Sequence, residues 1–203
     1  MKKRFKNIQE WRASIPNNTW ALMPSYLITP ALRKEFDTRD PLEQISELRN
    51  TPTASDRDIV MECVGLLDKL VSNLLIKFSV EDIGDQLFGP NGKVRDLETR
   101  QHLALAFGLI TKEEHSIQTI LRQIRNKFAH DAALRRFDHD QKVISHIQSL
   151  PLPKNNPMEW PMESLRDRIL IVSLYQLIRM LGRQKHACCQ TRVALDLSTP
   201  MQD

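Results

Sequence analysis

The side chains best suited to chemistry lie in one stretch, Arg122-Gln123-Ile124-Arg125-Asn126-Lys127-Phe128-Ala129-His130-Asp131. Asn126 and His130 are four residues apart, so on a helix they share a face. At about 100° per residue that face points away from the apolar stripe of Ile117, Ile120, Ile124 and Phe128. Arg122 adds to the polar face, and Arg125 sits at its border with a side chain long enough to lean across. Lys127, Arg135 and Arg136 make the surroundings basic. One face thus offers an imidazole, a guanidinium and a carboxamide.

The chemistry that suits this trio is RNA cleavage. A neutral histidine can take the proton of a ribose 2′-OH, and a protonated one can supply a proton to the leaving 5′-oxygen. An arginine fork can hold the phosphate and its developing charge. Asn126 can orient the imidazole or the substrate. No metal is required. One chain supplies one such histidine, so a separate acid and base need two copies facing each other in a dimer. A second reading stays open: cations are favoured at a helix C-terminus, so His130 can satisfy the last carbonyls while Arg125 pairs with Asp131 or Asp138.

The rest of the sequence offers few rivals. It contains no G-x-x-x-x-G-K-[ST], G-x-G-x-x-G, H-E-x-x-H or G-x-S-x-G. Glu113 and Glu114 read as first-turn helix charges. His102, His115, His139, His146 and His186 read as surface or half-buried residues. His186 lies beside Cys188 and Cys189, yet no second cluster has metal-ligand spacing, so no metal and no cofactor are expected. With Cys63 the cysteines number three; an odd count containing an adjacent pair reads as reduced thiols of a cytoplasmic protein.

These residues must be positioned by helices. The chain has 203 residues, 41% hydrophobic and 27% charged, enough for one domain with a core plus an appendage. With 6 glycines and 6% aromatic residues it is poor material for an all-β sandwich or barrel. Its longest strongly apolar stretch, Ile169 to Ile178, is about half the ~20 residues of a membrane helix, and the basic N-terminus is not followed by a signal-peptide core. The net charge of +4 permits an anionic partner without demanding one.

Periodicity and capping signals divide the chain into 1–54, an extension with one short helix; 55–184, a helical bundle; and 185–203, a tail. In the extension, Asp40 caps a helix with Pro41 at its first position, and Leu42, Ile45 and Leu48 form its stripe. Ser55 caps a long helix with Val60, Val64, Leu67, Val71 and Leu74 on one face, running to about Phe78. Leu87 to Gly92 predicts a turn. A second bundle helix is expected over roughly Val94 to Phe107, stopped at Gly108. Thr111 and Glu114 form a capping box for the third, which ends in the polar trio. Asp138 or Asp140 caps a fourth with Val143, Ile144, Ile147 and Leu150. After a proline-rich loop, Pro151 to Pro161, the last helix is expected from about Met162 to Leu181, apolar on more than one side and so central to the bundle or shared with a partner chain. The fold class is all-α, a bundle of about five helices with an irregular N-terminal extension.

Linked motifs carry a family resemblance. Leu66-Leu67-Asp68, Leu74-Leu75, Leu87-Phe88-Gly89-Pro90-Asn91-Gly92, Leu97, Leu103-Ala104-Leu105-Ala106-Phe107-Gly108-Leu109-Ile110, Ile124 to Asp131 and Phe137-Asp138 together resemble the MltR (mannitol operon repressor) family over roughly residues 55 to 150. The resemblance implies an all-α cytoplasmic transcriptional regulator. It shows no DNA-reading helix-turn-helix, so it implies action through a regulatory protein partner. Within the same stretch, Arg125-Asn126-x-x-x-His130 resembles the R-polar-x-x-x-H motif of the HEPN superfamily, many of whose members resemble dimeric, metal-independent ribonucleases of toxin–antitoxin and phage-defence systems. That resemblance implies a homodimer and RNA binding, with Arg125 and His130 catalytic and Asn126 as the polar second position. Arg122, Lys127, Arg135 and Arg136 then become the residues that bind nucleic acid or the partner.

Overall fold

The computed structural model describes residues 41–51, 53–80, 83–153 and 164–187, with side chains to 184. Trp11, Trp20, Asp40, Pro52, most of the expected proline-rich loop, Cys188 and Cys189 lie outside the described residues, as does the side chain of His186. The described residues form seven α-helices and one 3-10 turn, with no strand: α1 (Pro41–Asn50), α2 (Asp56–Phe78), α3 (Ile83–Phe88), α4 (Leu97–Ala106), α5 (Lys112–His130), the turn Phe137–His139, α6 (Gln141–Ser149) and α7 (Leu165–Ala187). The all-α expectation holds, and no helix among these residues is long and apolar enough to cross a membrane.

The centre of the bundle is α2 packed along α7, and α5, α3 and α4 lie against the other sides of α2. The stripe predicted for α2 is buried, as are Ile117, Leu121, Ile124 and Phe128 of α5 and Ile169, Leu170, Val172, Leu177 and Met180 of α7, whereas Ile120 of the predicted α5 stripe is half-buried. Leu42 and Ile45 of α1 belong to the same core. Arg166 of α7 also holds the chain after α1: its guanidinium donates to the carbonyls of Ala54 (2.9 Å), Leu48 (3.0 Å) and Thr51 (2.9 Å). Arg168 does the same for the end of α6, donating to the carbonyls of Gln148 and Leu150. Terminal carbonyls without intrahelical partners are thus satisfied by side chains.

The caps fix the helix limits. Ser55 and Asp58 form a capping box at α2, and Thr111 and Glu114 form one at α5. The second bundle helix starts later than expected, because Asp96 accepts from the Thr99 N–H at 2.8 Å and caps α4 at Leu97. Gly108, at φ +69°, ends it in the left-handed region that favours glycine. Of the two candidate caps for α6, Asp140 is the cap, accepting from the N–H groups of Lys142 (2.7 Å) and Val143 (3.0 Å), whereas Asp138 binds Arg136. At α7, Ser164 and Asp167 satisfy each other's backbone N–H groups, so the described helix opens at Leu165 and extends beyond Leu181 to Ala187. Helix α3 was not expected; six residues are too few for a readable period. The turn that follows closes with Val94 N–H donating to Leu87 O at 2.8 Å, and a Cβ on Gly92 would lie 2.4 Å from that oxygen. Cys63 is fully buried in α2, and burial pushes its thiol up to about 12.

Candidate nucleic-acid or partner interface

The polar trio stands at the C-terminal end of α5. Phe128, wholly buried, anchors that end, its ring meeting Phe137 edge-on at a centroid distance of 5.4 Å. The Phe137 N–H donates to Asp56 Oδ2 at 2.8 Å, so the loop after α5 is tied to the first turn of α2. Asp131 caps α5, and its carboxylate accepts from the N–H groups of Ala133 (2.9 Å) and Leu134 (3.3 Å), which turns the chain sharply.

On this support His130 is exposed, and it makes no hydrogen bond or ion pair among the described residues. Arg125 leans as expected: its Nη1 donates to Asn126 Oδ1 at 3.0 Å, and it has no carboxylate partner among the described residues. The reading in which Arg125 pairs with Asp131 or Asp138 therefore does not describe this structure, because Asp131 holds the turn and Asp138 holds Arg136. His130, the last residue of α5, stands exposed to solvent, and the N–H of the following Asp131 caps Lys127 O at 3.0 Å.

The other predicted cations are differently placed. Arg122 is drawn off the polar face to α4, where its Nη1 meets Glu98 Oε2 at 2.6 Å. Lys127 faces Asp140 at 3.6 Å, and Arg136 forks onto Asp138 at 3.0 and 2.8 Å. That fork is the first cause holding the Asp138 carboxyl below the usual carboxylate range. The N–H of Val143 does the same for Asp140. Arg135 is exposed and without an ion pair among the described residues. The basic neighbourhood is thus largely self-compensated; among the described residues Arg125 and Asn126 are engaged only with each other, and the side chains of His130 and Arg135 have no hydrogen bond or ion pair.

Two features were not legible in the sequence. His102 and His115, from α4 and α5, approach to 4.9 Å between ring centroids. Burial first, then the neighbouring His102 and Arg122, hold the His115 imidazole below its ordinary pKa. Glu114 stands in the first turn of α5 and its capping box as read from the sequence, but it is 2% exposed. It accepts from the Thr111 N–H at 2.7 Å, from Arg183 at 2.8 Å and from Arg179 Nε. The i, i+4 spacing of Arg179 and Arg183 was the available signal. No group of three His, Cys, Asp or Glu placed to hold a metal ion occurs among the described residues.

No protein-family model matches the chain, and no curated protein matches it. A solved structure does. The chain is similar in fold to a chain of the MtlR–HPr complex from Escherichia coli. The TM-score is 0.51 at 19% identity, over 72% of this chain and 99% of that one. At that identity the likeness is one of fold, and it agrees with the helical bundle read from the caps.

Proposed function

We propose that this protein is a regulator, a transcriptional repressor of the MltR type, that acts by holding a partner protein. The observation that supports this reading most is the fold likeness to the MtlR–HPr complex, which spans nearly the whole of that chain and pairs it with a second protein. The surface is compatible with such a role. Val80, Ile83 and Phe107 leave apolar side chains exposed, and Phe107 stacks on Phe78 at 5.4 Å. Exposed apolar groups gathered in one region are what a protein partner covers. The expected result is that Phe107→Asp lowers capture of the partner at least about tenfold while the thermal midpoint stays within a few degrees of wild type. Equal capture by both proteins would remove this surface from the account.

A second reading is favoured by a specific observation: His130 is exposed and unengaged, and Arg125 is bound to Asn126 instead of a carboxylate. In this reading the chain is a HEPN-type, metal-independent endoribonuclease acting as a homodimer. The His130 imidazoles of two copies serve as base and acid, and Arg125 holds the phosphate. His130→Ala is then expected to lower RNA cleavage in EDTA by about a hundredfold or more. Products ending in 2′,3′-cyclic phosphate support the reading; equal cleavage by wild type and His130→Ala excludes it.

A further inference from the structure

Resting on the RNA reading above, we propose that Arg57 completes the Arg125–His130 corner as a cradle for an RNA backbone phosphate. Arg57 lies in the first turn of α2, far from the motif in sequence, yet its Nη1 donates to the carbonyl of Asp131 at 3.3 Å, the residue that follows His130. It is half-buried and has no ion pair among the described residues. A guanidinium held by one backbone carbonyl keeps most of its donors and all of its charge.

The carboxylates nearby are each committed elsewhere. Asp56 accepts from the Phe137 N–H, and Asp58 is used by the Ser55 capping box. Asp131 holds its own turn, Asp138 takes Arg136, and Asp140 caps α6 and faces Lys127. Asp56, Asp58 and Asp140 also stand at helix N-termini, where the helix dipole already balances part of their charge. Among the described residues, Arg57, Arg125 and Arg135 are left as cations without a carboxylate partner. The C-terminal end of α5 opposes an anion by about half a charge, which two guanidiniums and a protonatable imidazole outweigh. A phosphate diester presents oxygens that match guanidinium forks, and RNA cleavage requires one to sit beside the histidine.

The test uses the full-length chain and a fluorescent single-stranded 2′-O-methyl oligonucleotide, which cannot be cleaved because it lacks the attacking hydroxyl. Anisotropy is followed over a salt series for wild type, Arg57→Gln and Arg57→Lys. Arg57→Gln is expected to bind about tenfold more weakly at low salt, with the slope of log K against log salt smaller by about 0.7, the share of one phosphate contact on a single strand. Arg57→Lys keeps the slope. A merely structural clamp on Asp131 would lower the melting temperature and leave the slope alone. An unchanged slope in Arg57→Gln overturns the proposal while leaving the RNA reading intact. No oligonucleotide binding by folded wild type overturns both.

Discussion

Glu114→Ala is expected to cost about 3 kcal/mol of unfolding free energy at neutral pH. Removing one partner of a buried ion pair typically costs about 3–5 kcal/mol, because the remaining charge is left uncompensated. The lower end applies because Arg179 and Arg183 keep 38% and 28% of their side-chain surface and can rehydrate. The loss of the α5 capping box is included in that figure. A pH signature goes with it. Burial pushes the Glu114 carboxyl up, but the Thr111 N–H, Arg179 and Arg183 together outweigh burial and hold it below the ordinary carboxylate range. A depressed folded value means stability that is fully present above the unfolded value, about 4.3, and lost as pH falls through the folded one. Urea denaturation at pH 7 and across the acid range should show wild type losing stability at acid pH along a limb that Glu114→Ala flattens. A loss below about 1 kcal/mol, less than the average point substitution costs, with an unchanged acid limb, would contradict the role assigned to this cluster.

Phe128→Ala is expected to cost more, about 3–5 kcal/mol, the range for emptying a fully buried phenylalanine site. The ring is 0% exposed and packs edge-on against Phe137, itself 2% exposed and tied by its backbone to Asp56. The void would therefore open between α5, α2 and the loop that carries Arg135 and Arg136. Typical domain stability is about 5–15 kcal/mol, so the variant should stand near its unfolding threshold at ordinary temperatures. Denaturant midpoints measure the cost, and hydrogen exchange locates it: amides over 125–137 should lose protection first. Retention of wild-type stability would mean that the end of α5 is held by its polar contacts and not by this aromatic pair.

The fold was legible where one residue type does one job. Ser55 caps as its residue type predicts, Thr111 caps as its spacing with Glu114 predicts, Gly108 stops α4, and the 3.6-residue stripes of α2 and α5 are buried except for the half-buried Ile120. The choice between Asp138 and Asp140 as cap depended on Arg136, which engages Asp138 and leaves Asp140 to the helix. Partners far apart in sequence were not legible. Nothing local marks Arg166 as the clamp on residues 48–54, Glu98 as the partner of Arg122, or Arg57 as a neighbour of Asp131. Glu114 shows the difference within one side chain: its capping role followed from spacing, while its burial under Arg179 and Arg183 required the packing of α7 on the bundle. At the polar corner, Asn126 and His130 sharing a face followed from helix geometry, and the Arg125–Asn126 bond settled where the arginine leans.

The central claim, that this chain regulates by holding another protein, is tested most directly by the mass of the native particle. The tagged chain is purified gently from its own cells after nuclease treatment and weighed by native mass spectrometry. The account predicts a particle containing this chain and one different polypeptide in a fixed ratio. A particle made only of copies of this chain, cleaving RNA in EDTA and losing that activity with His130→Ala, would contradict it and make the protein a ribonuclease.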